Sequence, residues 1–414
     1  MNISKYNTVS YRFVIVFTAI LTGSIQAASI TWDGSTDGNW NTGTNWVGDA
    51  APVDTDDLIF TGTASTTTNN DIAANTDFAG IQLTNTTAGQ SFTLGGNTID
   101  LTGDIVSTAA GGTIDDTISL GVNLSGAARI INLGANHNLT VSGVISDDTS
   151  RDLQMIGSGT LTLSAANTYN RLVIGDFGTR TNGGTVVVEN DTAIGGGQLL
   201  FEHGGTLKLG TTGLTIANTA FVPNWGGTTR TVELDEAGTN TGTLSGSWEL
   251  RYGGGLDFNV GADDTLTMSG NFTTGAGGNN SIRKAGAGTL VLSGSNTTNH
   301  NLAINAGTVT LGSGGTGGTL RIGETITISS GATFAVNQSD TVTQGTDFST
   351  AAITGAGILR AFGDGTTVLN VANTHTGGTK MGQLGVAGDS ATRAIDIRHN
   401  SALGTGAMTF EQGG

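Results

Sequence analysis

Lys284-Ala-Gly-Ala-Gly-Thr-Leu-Val-Leu-Ser-Gly-Ser-Asn-Thr-Thr298, followed by Asn305-Ala-Gly-Thr-Val-Thr-Leu-Gly312, decides the fold, because variants of it recur and no catalytic residue sits in it. A glycine turn leads into Leu-x-Leu or Val-x-Leu. Two apolar side chains thus share one face of a short strand, and the residue between them faces the other way. The first half returns as Gly157-Ser-Gly-Thr-Leu-Thr-Leu-Ser-Ala-Ala-Asn-Thr-Tyr-Asn170, and in altered form as Gly355-Ala-Gly-Ile-Leu359 with Ala372-Asn-Thr-His-Thr-Gly-Gly-Thr379 after it. The second half returns as Gly183-Gly-Thr-Val-Val-Val188, Gly204-Gly-Thr-Leu-Lys-Leu-Gly210 and Gly318-Thr-Leu-Arg-Ile-Gly323. In Ile358-Leu-Arg-Ala-Phe362 the alternation reads as broken.

The alternating pairs form a ladder: Ile81/Leu83, Ile99/Leu101, Ile118/Leu120, Leu139/Val141, Leu161/Leu163, Val186/Val188 and Leu207/Leu209. Their first members are 18 to 25 residues apart, and a second run, Leu244, Leu266/Met268, Leu290/Leu292 and Val309/Leu311, steps by 19 to 24. Such a period fits one coil of a β-solenoid, with two or three short strands and Gly- or Asn-rich corners per coil. A sandwich would show a turn signal every ~8–12 residues instead. At about 22 residues per coil the chain after residue 28 makes roughly 17 coils, a rod of ~80 Å at the inter-strand spacing.

The repeat, written Gly-x-Gly-Thr-Leu-x-Leu-Ser-Gly-x-Asn-Thr and then x-Ala-Gly-Thr-Leu-x-Leu-Gly, resembles the autotransporter-associated β-strand repeat of bacterial surface and passenger proteins. The opening Thr31-Trp-Asp-Gly-Ser-Thr-Asp-Gly-Asn-Trp-Asn-Thr-Gly-Thr-Asn-Trp46, with Pro52 and Asp56-Asp-Leu-Ile-Phe60 after it, is similar to the segment that often begins such proteins. The resemblance implies an all-β, right-handed parallel β-helix with an N-terminal cap, displayed at the surface of a Gram-negative-type bacterium. It implies a scaffold and a location more than an activity.

Composition agrees with short strands. The chain has 68 Gly, 2 Pro, no Cys and only 12% charged residues in 414. Thr, Asn, Ser and Gly dominate the polar set and supply little helix-forming face. Residues 1–28 read as a secretory signal, with Lys5 and Arg12 before the apolar run Phe13 to Leu21 and cleavage after Ala27 or Ala28. Residues 29–75 read as a Trp-rich capping segment and 76–414 as the repeat region. Formal charge is −17 for the whole chain, which disfavours nucleic acid as a partner. Absence of Cys in an exported chain implies stability from stacking rather than from disulfides. Ser401 to Gly414 aligns without a gap on Thr192 to Gly205, and the earlier copy continues into a strand. The reading is therefore of a chain truncated within its repeats, its outer-membrane attachment lying in a missing C-terminal region.

Several residues invite a chemical reading. Gly312-Ser-Gly-Gly-Thr-Gly317 satisfies Gly-x-Gly-x-x-Gly, but a strand, Thr319-Leu-Arg-Ile, is expected after it, and phosphate binding needs a helix N-terminus there. The doublets Asp115/Asp116, Asp147/Asp148 and Asp263/Asp264 read as solvated turns. Asp147, Asp148 and Asp152, beside Arg151, form the best of the weak Ca²⁺ candidates. The five His have no metal-ligand spacing, and no nucleophile elbow is present. Trp32, Trp40 and Trp46 serve either as a cap over the first coil or as a platform for a glycan. The expectation is a structural, non-enzymatic surface solenoid that needs no cofactor and contacts surface glycans or matrix. The alternative is a polysaccharide-active lyase or hydrolase, or a carbohydrate-binding parallel β-helix.

Overall fold

Strands three to six residues long recur along the chain, and every ladder between them is parallel, as in Leu58↔Ile81, Leu161↔Val186 and Leu290↔Val309. The computed structural model describes residues 28–414 apart from residues 86, 88, 109–110, 177, 224–227, 252–254, 276–280, 299–300, 323–324, 383–391 and 412–414. The reading of residues 1–28 as a signal thus lies almost wholly outside the described residues. Parallel neighbours must be joined by a crossover, and here the crossover is the rest of a coil. Registered partners lie from 19 residues apart (Leu153↔Leu172) to 29 apart (Thr379↔Met408). The chain is a parallel β-solenoid.

Its strands form one sheet of 25 strands, one of 9, one of 4 and one of 3. The largest sheet carries two columns, merged where the 12-residue strand Asp152–Leu163 runs through both. Alternation inside each strand sets the core. In Leu256 to Val260 the residues Leu256, Phe258 and Val260 are fully buried, while Asp257 and Asn259 lie on the outer face. Stacked in register, inward residues make continuous columns such as Leu94–Ile118–Val141–Leu163–Val188–Leu209. Each member is removed from water by its neighbours above and below, so burial is a property of the stack rather than of any coil.

The ladder read from sequence holds in part. Leu139, Leu161, Val186 and Leu207 are true register neighbours, and so are Leu266, Leu290 and Val309. Ile99/Leu101, however, belongs to the 4-stranded sheet and pairs with Val122/Leu124, whereas Ile81 pairs with Ile105 in the largest sheet. Ile118 lies opposite Val141, not Leu139. Two faces of a coil carry the same alternation, and periodicity alone does not say which face a pair occupies. Nor is the alternation broken at Ile358–Ala361. Leu359 and Ala361 point inward and continue the column from Phe334 and Val336. Thr319–Ile322 is a strand, so the glycines before it form a corner, as expected.

Candidate functional site

The Trp-rich opening is the first place the sequence offers for chemistry. Trp32, Trp40 and Trp46 are each 0% exposed. Trp32 meets Trp46 edge-on at 5.0 Å, Trp40 meets Trp46 at 6.3 Å, and Phe60 lies 5.4–6.0 Å from all three. Phe78 and Phe92 extend the cluster into the next coils. Two indole N–H groups are used internally, Trp40 Nε1 donating to Thr68 Oγ1 and Trp46 Nε1 to the Trp40 carbonyl. The surrounding amides are also occupied. Asn45, fully buried, accepts from the backbone N–H of Thr36 and Asp37 and donates to Asp37 and to the Asn39 carbonyl. A sugar ring needs an open aromatic face, and these rings have none, so this geometry does not provide the glycan platform.

The acidic loop is no more convergent. Asp148 pairs with Arg151 at 3.0 Å, Asp147 accepts from the Arg151 backbone N–H, and Asp152 turns away to Arg171 and Asn170. Asp147 and Asp148 are both engaged by Arg151, and Asp152 by Arg171 and Asn170, so the three carboxylates do not converge on one cation position. Among the described residues no group of His, Cys, Asp or Glu is placed to hold a metal ion. Two of the three doublets depart from the solvated-turn reading in one member each. Asp116 and Asp264 are 3% and 1% exposed, because each sits at an inward position, while Asp115 and Asp263 face solvent.

Their role emerges from the coil before. Asp116 Oδ1 accepts the backbone N–H of Phe92 at 2.8 Å, and Asp264 Oδ1 that of Asn240 at 2.8 Å. Asn167 does the same for Ile145, Asn296 for Phe272 and Asn373 for Ile353, at 2.8–2.9 Å. A corner leaves one N–H without a ladder partner, and a buried side-chain oxygen from the following coil accepts it. The Asn of the repeated Asn-Thr pair is therefore an inter-coil bracket. As an anion Asp116 bears a cost that Asn does not: burial pushes its carboxyl up to about 6, opposed by the Phe92 N–H and the nearby His137.

Two buried cations also escaped sequence reading. Lys284 is fully buried and donates from Nζ to the carbonyls of Ala285, Gly286 and Ala306, and burial lowers its pKa to about 8. Arg230, likewise buried, donates to the carbonyls of Phe201, Thr228 and Glu202, and burial lowers its pKa to about 10. Both occupy inward phases of their strands, a signal that the alternation itself contained. His203 meets Asn182 at 3.2 Å in a corner, and His137 meets Ser107 at 2.6 Å. These groups brace corners and do not converge on an open cleft.

Among the described residues a recess of about 440 Å³ lies beside Asn182, Gly204 and Thr228, and a smaller one lies on the outer face of the 9-stranded sheet. The smaller recess, of about 300 Å³, is lined by Thr308, Thr310, Thr333, Ala335, Arg360 and Phe362. Arg360 is fixed by Glu411 at 2.7 Å, and Lys380 reaches the same carboxylate at 2.9 Å. The class that these observations define is a parallel β-solenoid. No family model, curated protein or solved structure matches the chain.

Proposed function

We propose that the chain is an exported structural solenoid of the autotransporter-passenger type, right-handed and non-catalytic, which projects from the cell exterior and makes adhesive or matrix contacts. The observation that carries the reading is the inward stack of strands joined by parallel ladders. An array of this kind gives a stiff rod whose outer Thr, Asn and Asp residues repeat from coil to coil. The right hand follows from the general rule for parallel crossovers. Among the described residues no helix is long and apolar enough to cross a membrane. The test is expression in a Gram-negative host with the gene's own flanking sequence, an epitope placed at the exposed Gly331 corner, and antibody labelling of intact cells. Labelling that disappears on external protease treatment supports display; an epitope found only inside the cell would overturn it.

Within this reading the Trp cluster caps the first coil. It covers the apolar end that a solenoid otherwise exposes. Replacing Trp40 and Trp46 together by Ala is expected to remove ~3–5 kcal/mol per ring from local packing. It should also raise hydrogen exchange in residues 29–83 before the later coils respond. Unchanged exchange there would contradict the cap.

A further inference from the structure

The recess on the 9-stranded sheet holds a combination found in neither of the segments read as chemical from sequence. Val309 and Leu311 point into the core, so Thr310 points outward, yet it is only 5% exposed, and its hydroxyl makes no hydrogen bond among the described residues. The next two outward residues in register are Ala335 and Arg360. The small Ala335 side chain leaves a notch between the Thr310 hydroxyl and a guanidinium. Thr308 and Thr333, themselves register partners, edge one side. Phe362, half-buried, edges the other. Arg360 and Lys380 share the single carboxylate of Glu411. One positive charge is left over there, in a chain of formal charge −17.

We infer that this recess is a glycan subsite that takes one pyranose ring of an acidic polysaccharide, a uronate. An aromatic edge accepts the C–H face of a sugar, hydroxyls at fixed spacing pair with ring hydroxyls, and the surplus cation meets the carboxylate. A volume of about 300 Å³ suits a single ring and little more. The Thr310 hydroxyl, with no protein partner among the described residues, is free to pair with a sugar hydroxyl that enters the notch. The subsite gives the exterior-contact reading a ligand class and rests on it only for where that ligand is met. Binding is measured on purified protein, so failure of the subsite and failure of surface display are separate results.

The experiment is calorimetric titration of the purified protein with tri-galacturonate and with neutral cellotriose. Tri-galacturonate is expected to bind, and cellotriose to bind at least about tenfold more weakly. Ala335→Leu fills the notch from the outer face and should weaken tri-galacturonate binding about tenfold or more. Thr310→Val, which keeps the shape and removes the hydroxyl, should weaken it about fivefold with an unchanged melting curve. Thr310→Val keeps the test decisive if the leucine disturbs the sheet. No binding of tri-galacturonate at millimolar concentration, equal affinity for the neutral trimer, or full affinity in Thr310→Val would each overturn the proposal.

Discussion

Asp116 and Asn296 do the same work with different chemistry, and that difference is measurable. Each accepts an orphan N–H from the preceding coil, but the Asp116 carboxyl is pushed up to about 6 against an ordinary value of 3.8. A raised carboxyl favours the folded state fully below the ordinary value and loses that contribution as pH rises through about 6. Asp116→Asn removes the loss while retaining the acceptor. The variant should gain over the parent between pH 4 and 6 and keep a lead of ~1–3 kcal/mol at pH 7.5, read by denaturant unfolding at each pH. A lead that is the same at pH 4 and pH 7.5 would show that the carboxyl is not the cause. For Lys284 the sign is opposite. Its amine is pushed down to about 8 from 10.5, so burial penalises the charged form below 8, and stability recovers as pH rises from 8 towards 10.5. Met155 and Ile353 stand where Lys284 stands in other copies of the repeat. Lys284→Met should therefore fold and lack the rise between pH 8 and 10 that the parent shows. An equal rise in both proteins would contradict the assignment.

At the scale of the element, a strand here is stable because of the strands on either side. Leu292 is fully buried and lies in register between Met268 and Leu311. Leu292→Asp should open those three coils, a loss of ~3–5 kcal/mol confined to the neighbourhood. Hydrogen exchange should rise around residues 265–311 while Leu161 and Val186 stay protected; a single cooperative loss across the whole chain would contradict nearest-neighbour stacking. This locality also explains what was legible in the sequence. Leu-x-Leu phases fixed which side chains point inward, since the pleat admits only two directions. The period fixed the solenoid. What period and phase could not fix was the identity of the face, which misplaced Ile99/Leu101, and the occupants of inward positions that are polar. Asp116, Lys284 and Arg230 break the apolar pattern that identifies a core. Each also has a partner in a neighbouring coil more than twenty residues away: Phe92 for Asp116, Ala306 for Lys284 and Phe201 for Arg230. The recess around Thr310 was invisible for the same reason. Thr308, Thr333, Ala335 and Arg360 become neighbours only through register.

At the scale of the whole molecule, distance in space grows with the number of coils and not with the number of residues. Thr160, Thr185, Thr206, Thr231, Asp257, Arg283, Ala303 and Thr327 are successive register partners along one outer face. The chain has no Cys, so spin labels can be placed at will. The most direct measurement is pulsed electron–electron spin resonance on Thr160→Cys/Thr327→Cys, with Thr160→Cys/Arg283→Cys as its internal reference. Stacking at the inter-strand spacing predicts narrow distributions centred near ~34 Å and ~24 Å, the longer pair exceeding the shorter by ~10 Å. Broad distributions, or two pairs with the same mean distance, would contradict the stacked parallel solenoid on which every other inference depends.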